Sequence, residues 1–217
     1  MRNRVSTLLA AFGLISGVFA AAGFTAEPTE EAKKSFNTAV EAAKAGNAAA
    51  AVTAYEEAIK ASPDYLQAHI NVGAIYYEQG KLTEAASHLE AAVKLDSMSA
   101  DAFKNLGLVH TQAGDFDKAT AAFTRLNALD AKAVGSGWAA LGAAKKKKGD
   151  TAGAKAAYEL ALKSDPSDSK TLYNVGNIQK DAQQFDEAIA TYRKAIAANP
   201  KYIEAYYNLA IASHSLD

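Results

Sequence analysis

The sequence predicts an all-α protein built from repeated pairs of antiparallel helices, because small residues recur in two columns with one common period. The first column has a spacing of 34 residues with one step of 35: Ala39, Gly73, Gly107, Gly142, Gly176 and Ala210. The second column keeps the same register: Ala51, Ala85, Ala119, Ala154 and Ala188. A fixed period of this length is typical of architectures in which each unit stacks on its neighbours.

A column of large residues explains why two helices form each unit. Antiparallel helices approach closely where side chains are small, and a bulky residue of the neighbouring helix fills the space beside them. The bulky residues are Tyr55, Leu89, Phe123, Tyr158 and Tyr192. A further column of mostly alanine follows each of them: Ala58, Ala92, Leu126, Ala161 and Ala195.

Glycine and proline mark the ends of the predicted helices. Glycine adopts the left-handed cap conformation without steric cost, and it stands where the first helix of a unit should end: Gly46, Gly80, Gly114 and Gly149. Gln183 takes this place in the fifth unit. Proline lacks the amide donor that a helix needs, so Pro63, Pro166 and Pro200 are expected to follow the second helices.

Residues 1–22 have the order of a signal peptide. Arg2 and Arg4 precede the apolar stretch Val5–Phe19, and a run of small residues, 20–23, follows it. Cleavage after Ala22 or after Ala20 would release a periplasmic or secreted chain with no stable membrane span. An uncleaved N-terminal membrane anchor is the alternative, because residues 5–24 are numerous enough to cross a bilayer core.

The remaining chain divides into a linker and the repeats. The linker is 23–31 and the repeat domain is 32–217. The predicted units are 32–65, 66–99, 100–134, 135–168 and 169–202, followed by a terminal helix within 203–217. This helix carries Tyr206, Tyr207 and Ile211 with no second helix to cover them, so weak homo-oligomer formation through it is expected.

The columns resemble the tetratricopeptide-repeat (TPR) family, whose 34-residue helix-turn-helix unit has this order of small, alanine, aromatic, alanine and proline positions. The resemblance covers five full units and the first helix of a sixth. It implies a TPR α-solenoid, a right-handed superhelix of antiparallel helix pairs. It also implies a concave groove, lined mainly by the first helices, in which family members hold extended peptides or partner helices. The third unit departs locally, with Leu126 and Ala131 where the family has Ala and Pro.

Composition and motifs argue against catalysis and against several partner classes. The 217 residues are 49% hydrophobic and 22% charged, which excludes a chain that is disordered throughout. The absence of cysteine excludes disulfides, thiolate metal sites and thiol nucleophiles. The formal charge of −1 gives no general attraction to nucleic acid. No phosphate loop, G-x-S-x-G or H-E-x-x-H motif is present, so we expect no enzyme, no cofactor and no metal.

The four histidines do not predict a site. His69 and His110 fall where the TPR family places large interhelical residues, and we interpret them as packing residues rather than as bases or metal ligands. His88 and His214 belong to other columns. The pattern therefore gives no reason to expect the four rings to converge.

A column of asparagines is the main candidate for binding. These residues stand two positions before the first column of small residues: Asn37, Asn71, Asn105, Asn174 and Asn208. In similar superhelices this position faces the groove, where an amide side chain can bond an extended peptide backbone without reading its sequence. The alternative is that asparagine at this position only serves the fold.

Lysines near the fourth and fifth units are the second candidate. Lys146 and Lys147 occupy positions that face the groove in similar repeats, and Lys180 is equivalent to Lys146. With Asn174 and Asn177 nearby, they could attract an acidic segment or a carboxylate. The alternative is that cations near a helix C-terminus only complement the helix dipole.

These observations predict an exported, non-enzymatic scaffold or adaptor that binds a protein or peptide in its concave groove. Two alternatives stay open. One is an accessory subunit of an envelope assembly or secretion machine, bound through its convex face or its ends. The other is a glycan- or cell-wall-associated module.

Overall fold

The computed structural model describes residues 27–215, and in this range the chain forms eleven α-helices and no strand. The predicted all-α class is therefore confirmed. The predicted signal peptide and residues 23–26 of the linker lie outside the described residues. Within 27–215, no helix combines the length and the apolar character needed to span a membrane.

The helices divide between two compact units, and the division falls within the fifth helix. Unit 1 contains α1 (Glu30–Lys44), α2 (Ala48–Ala61), α3 (Leu66–Glu78), α4 (Leu82–Leu95) and the start of α5 (Ala100–Ala113). Unit 2 contains the rest of α5, α6 (Phe116–Leu129), α7 (Gly135–Lys147), α8 (Thr151–Ser164), α9 (Ser169–Asp181), α10 (Phe185–Ala198) and α11 (Ile203–His214).

The start of α1 differs from the predicted boundary of the linker. The helix begins at Glu30, so two residues assigned to the linker are helical. The side chain of Thr29 accepts a hydrogen bond from the amide of Ala32 and caps this end. Two acidic residues in the first turn complement the positive end of the helix dipole.

The core of unit 1 follows the predicted columns. Tyr55 and Leu89 are fully buried, and each comes from the second helix of a pair. A Cβ built at Gly73 on α3 would lie 2.8 Å from Cγ of Leu89 on α4, so only glycine allows this approach. Ile70, Ala92 and Ala102 join α3, α4 and α5 in one buried cluster.

Unit 2 repeats the same packing with aromatic rings. A Cβ at Gly176 on α9 would lie 2.6 Å from Cε1 of Tyr192 on α10. The Phe123 ring of α6 lies between two glycines, Gly107 of α5 and Gly137 of α7, and a Cβ at either would come within 2.5 Å of it. These short separations show that the small residues set the distance between helices.

The turns between helices confirm the expected caps. Gly46, Gly80, Gly114 and Gly149 all have positive φ, and so does Gln183 at 61°. Each second helix then ends on a residue in extended conformation: Ser62, Asp96, Asp130, Asp165 and Asn199. Three of these residues precede the predicted prolines by one position, whereas α4 and α6 end in the same way without proline.

Candidate functional site

The predicted asparagine column is occupied in part by internal hydrogen bonds. In unit 1, the amide nitrogen of Asn71 donates to the hydroxyl of Tyr55 at 3.1 Å, and its oxygen accepts from Gln67 at 2.9 Å. Tyr55 is 1% exposed, and burial raises the pKa of its hydroxyl. Asn71 on α3 therefore holds the buried tyrosine of α2, which is a structural role.

In unit 2 a polar network connects three helices. The hydroxyl of Tyr192 on α10 donates to Oδ1 of Asn177 on α9 at 2.7 Å. The amide nitrogen of Asn208 on α11 donates to the same oxygen at 2.9 Å and to the hydroxyl of Tyr173 at 3.0 Å. Burial raises the pKa of Tyr192, so its hydroxyl keeps its proton and remains a donor. Asn177 and Asn208 are thus also bound within the fold.

Three asparagines of the column form no side-chain hydrogen bond with other described residues: Asn37, Asn105 and Asn174. Asn105 and Asn174 are partly exposed and Asn37 is exposed. Asn37 lies in a shallow, open depression formed by α1 alone, with Lys33 and Lys34 among its neighbours. The column therefore contains two kinds of asparagine, and only the second kind has an amide available to a ligand.

The structure brings two of the predicted lysines together. Nζ of Lys146 on α7 lies 3.8 Å from Oδ2 of Asp181, and Nζ of Lys180 on α9 lies 3.5 Å from Oδ1 of the same carboxylate. This acid, which the sequence interpretation did not include, offsets part of the positive charge. Lys147 is exposed at the end of α7.

The first helices of unit 2 thus share one face, which we call the first-helix surface and define by Lys146, Lys180, Asn174, Tyr173 and Tyr207. The Lys146–Asp181 ion pair joins α7 to α9, and the Tyr173–Asn208 bond joins α9 to α11. This surface offers cationic groups at one side, a free amide in the middle and an exposed tyrosine at the other side. Asn37, Asn71 and Asn105 belong to unit 1 and are described separately.

The sequence interpretation missed a pair of histidines in unit 1. Nδ1 of His69 on α3 lies 3.2 Å from Nδ1 of His88 on α4, although the two residues had been assigned to unrelated columns. Nε2 of His69 lies 3.0 Å from the carbonyl oxygen of Pro63, which can only accept, so Nε2 carries a proton. In the neutral pair, Nδ1 of His88 then donates to Nδ1 of His69.

A tyrosine and a carboxylate extend this pair. The ring of His88 is stacked on Tyr76 with centroids 5.7 Å apart, and the hydroxyl of Tyr76 donates to the carboxylate of Glu56 on α2. The hydrogen bond to Glu56, followed by burial, raises the pKa of Tyr76 to about 12. Burial, followed by the neighbouring His69, lowers the pKa of His88. In the sequence, this histidine pair is marked by one histidine at the fourth position of a first helix and another directly before the large residue of the second helix of the same unit.

The packing interpretation of His69 and His110 is confirmed, since both are buried. Within residues 27–215, no group of three or more histidine, aspartate or glutamate side chains is arranged to hold a metal ion.

The comparisons with known proteins agree with this architecture. The family model described as the cilia and flagella-associated protein 70 C-terminal domain, a TPR domain, matches residues 19–216. The chain belongs to this family of tetratricopeptide-repeat proteins. The predicted TPR fold is therefore correct. TPR scaffold families of this kind are generally protein-binding modules.

Individual relatives are more distant. BBSome complex member BBS4 of Bos taurus is 27% identical over 169 residues, which is 77% of this chain and 32% of that protein. The chain spans about a third of the length, or less, of such curated relatives. Among solved structures, MamA has a TM-score of 0.71 at 23% identity and covers 81% of this chain and 95% of its own. YrrB, described as a TPR protein with an unusual peptide-binding site, has a TM-score of 0.65 at 20% identity, covering 82% of this chain and 91% of its own.

Proposed function

We propose that this TPR protein is an exported scaffold that binds an extended segment of a protein partner on its first-helix surface, without catalysis. The observation that carries the proposal is Asn174. Its side chain forms no hydrogen bond with other described residues, whereas Asn177, one turn later on the same helix, accepts two. A partly exposed amide that the fold does not use is available for a ligand.

The chemistry of this surface fits a peptide backbone. An amide side chain offers a donor and an acceptor, so it can bond a peptide unit regardless of sequence. Lys146 and Lys180 can exchange Asp181 for a carboxylate of the partner at little cost, because their distances of 3.5–3.8 Å to Asp181 are those of loose ion pairs. The proposed ligand is therefore an extended segment with an acidic group near α7 and α9.

The relatives support a partner-binding role. BBS4 is by name a member of a complex, and YrrB is described as having a peptide-binding site. By analogy, this chain would act by holding another protein.

The exported setting is proposed from residues 1–22. Arg2 and Arg4, the apolar stretch and the run of small residues together support a cleaved signal peptide and a periplasmic or secreted location. Mass spectrometry of the natively expressed protein should show a mature start near Ala21 or Gly23. An intact Met1 in the membrane fraction would contradict cleavage and support the anchored alternative.

The binding proposal is tested by capture and titration. The tagged mature chain would be used to capture partners from the native envelope, and the captured segment would be titrated against variants. Asn174→Ala removes about one hydrogen bond, worth roughly 0.5–1.5 kcal/mol, so affinity should fall about 2- to 10-fold. Asn127→Ala, an exposed asparagine on the second helix α6, is the matched control and should bind normally. Equal binding by both variants would contradict the proposed surface.

One observation favours an alternative mode. The last described helix, α11, has an exposed apolar face, which suits attachment to a larger assembly through this helix. In that case the Asn174→Ala variant would keep its complex, whereas Ile203→Glu on α11 would lose it.

A further inference from the structure

The outer face of α11 carries four of the five large hydrophobic side chains that are exposed among the described residues. Ile203 is 77% exposed, Tyr207 is 69% exposed and Tyr206 is 48% exposed, and Ile211 is also exposed. Only one other large hydrophobic side chain in the range 27–215, Met98, is exposed to a similar degree. The opposite face of α11 is packed on α9 and α10 through buried alanines.

Comparison with the equivalent positions of α9 indicates which kind of helix the outer face of α11 can contact. On α9, Gly176 lies under the ring of Tyr192, and Leu172 packs with Ala195, both from the second helix α10. The positions 34 residues later on α11 are Ala210 and Tyr206. Ala210 is exposed, so its face lacks the large residue that covers the equivalent glycine in α9. The face therefore has one small and one large position, separated by one helical turn and without a partner helix among the described residues.

We propose that this face binds α11 of a second copy of the chain in antiparallel orientation, with Tyr206 of each copy over Ala210 of the other. A two-fold axis requires that residue i contacts j while j contacts i. Tyr206 and Ala210 meet this requirement, because they lie four positions apart on one helix. In an antiparallel pair centred near residue 208, Tyr206 of one copy faces Ala210 of the other, and the reverse. The contact reproduces the large-on-small packing that the chain uses within its own helix pairs.

Charge permits this arrangement. In a two-fold interface each charged residue near the axis approaches its own copy, so like charges would repel. The outer face of α11 has no lysine, arginine, aspartate or glutamate at positions 203, 206, 207, 210 or 211, and Glu204 is exposed at its edge in the first turn of the helix. Two copies can therefore approach along residues 206–211 without burying a charge at the axis.

The size of the face sets the strength of the contact. Two tyrosines and two isoleucines with these exposures give on the order of 500 Å² per copy, or roughly 1,000 Å² for two copies. This is the lower limit for a specific interface, so the dimer should be weak and should depend on concentration. It should be populated at high micromolar concentration and dissociate on dilution.

Sedimentation velocity on the mature chain, from roughly 10 to 500 µM, tests the dimer. We expect a reversible shift from monomer to dimer. Ala210→Glu places a charge at the centre of the contact, at a position that is exposed in the monomer. The variant should therefore fold normally and remain monomeric throughout. Ala190→Glu, a matched change at an exposed alanine of α10 outside this face, is the control and should still dimerise. A natural chain that stays monomeric, or a dimer unaffected by Ala210→Glu, would overturn the proposal.

Disulfide formation tests the orientation, because the chain has no cysteine of its own. With a rise of about 1.5 Å per residue, position 207 lies about 3 Å along the axis from position 207 of the other copy, whereas position 203 lies about 15 Å from its equivalent. A disulfide needs Cα atoms within about 7 Å, so Tyr207→Cys should cross-link on oxidation and Ile203→Cys should not. Cross-linking of both variants would indicate a parallel contact, and cross-linking of neither would indicate another occupant of this face. Either result would contradict the antiparallel dimer.

Discussion

Asn177 and Asn174 offer a direct test of the two roles assigned to the asparagines. They lie one turn apart on α9, in the same unit, and differ in their hydrogen bonds. Oδ1 of Asn177 accepts from Tyr192 at 2.7 Å and from Asn208 at 2.9 Å, whereas the side chain of Asn174 bonds no other described residue. Replacing each by alanine separates the contribution to the fold from the contribution to a ligand.

The expected magnitudes follow from these bonds. Each lost hydrogen bond costs roughly 0.5–1.5 kcal/mol, so Asn177→Ala should lose about 1–3 kcal/mol. Alanine is the better helix former by a few tenths of a kcal/mol, and this gain is common to both variants. The difference between their free energies of unfolding should therefore be about 1–3 kcal/mol, with Asn174→Ala at or slightly above the natural chain.

Urea and thermal unfolding followed by circular dichroism would measure this difference. Hydrogen exchange would show whether the loss is confined to α9, α10 and α11, since repeat proteins can unfold in parts. A double-mutant cycle with Tyr192→Phe should give a coupling energy of about 0.5–1.5 kcal/mol with Asn177. If the two alanine variants differ by less than about 0.5 kcal/mol, the hydrogen-bond network does not stabilise the fold and the distinction between the asparagines fails.

Three further predictions concern stability. Burial and the neighbouring imidazole lower the pKa of His88 below its ordinary value of 6.5, so near this pH the unfolded chain binds a proton that the folded chain does not. The stability of the fold should therefore fall as the pH drops below 6.5. In thermal unfolding at several pH values, His88→Ala should flatten this dependence, and an unchanged slope would contradict the prediction. Gly176→Ala should lower the melting temperature, because a cost of about 1–3 kcal/mol from overpacking against Tyr192 outweighs a gain of about 1 kcal/mol in helix propensity. Ala210→Gly, where no ring lies above, should lower it through lost helix propensity alone. A higher melting temperature for Gly176→Ala would refute the packing argument. Gln183→Gly should raise the melting temperature, because a side chain at φ 61° is strained, and a fall would show that the residue makes contacts that compensate.

The fold was predictable because several columns repeat the same physical requirement. A glycine packed against a large residue, such as Gly142 against Tyr158, recurs in most units at the same spacing, so a single sequence shows the pattern. The turn glycines were equally clear, since positive φ restricts the choice of residue. The start of α1 was less predictable because helix boundaries depend on a local cap, here the side chain of Thr29.

The candidate site was predictable only in part. The column identified the asparagines as a group, but the hydroxyl that Asn71 or Asn208 bonds comes from another helix, and its position depends on tertiary packing. For the same reason the sequence did not reveal that Asp181 forms ion pairs with two lysines, or that His69 and His88 meet. Pairs of residues on different helices leave no periodic signal when only one unit contains them.

The pairing of small and large residues inside each helix pair also affects how the protein can change through evolution. Gly142 and Tyr158, or Gly176 and Tyr192, satisfy one another within a single repeat, so a duplicated repeat would bring its own complementary contacts with it. Gain or loss of one 34-residue unit would thus leave the small and large residues within each remaining repeat in contact. Contacts between neighbouring repeats, such as Gly137 against Phe123 and Asn71 with Tyr55, depend instead on which unit comes next. Recombination should therefore be tolerated less where such a contact crosses the junction.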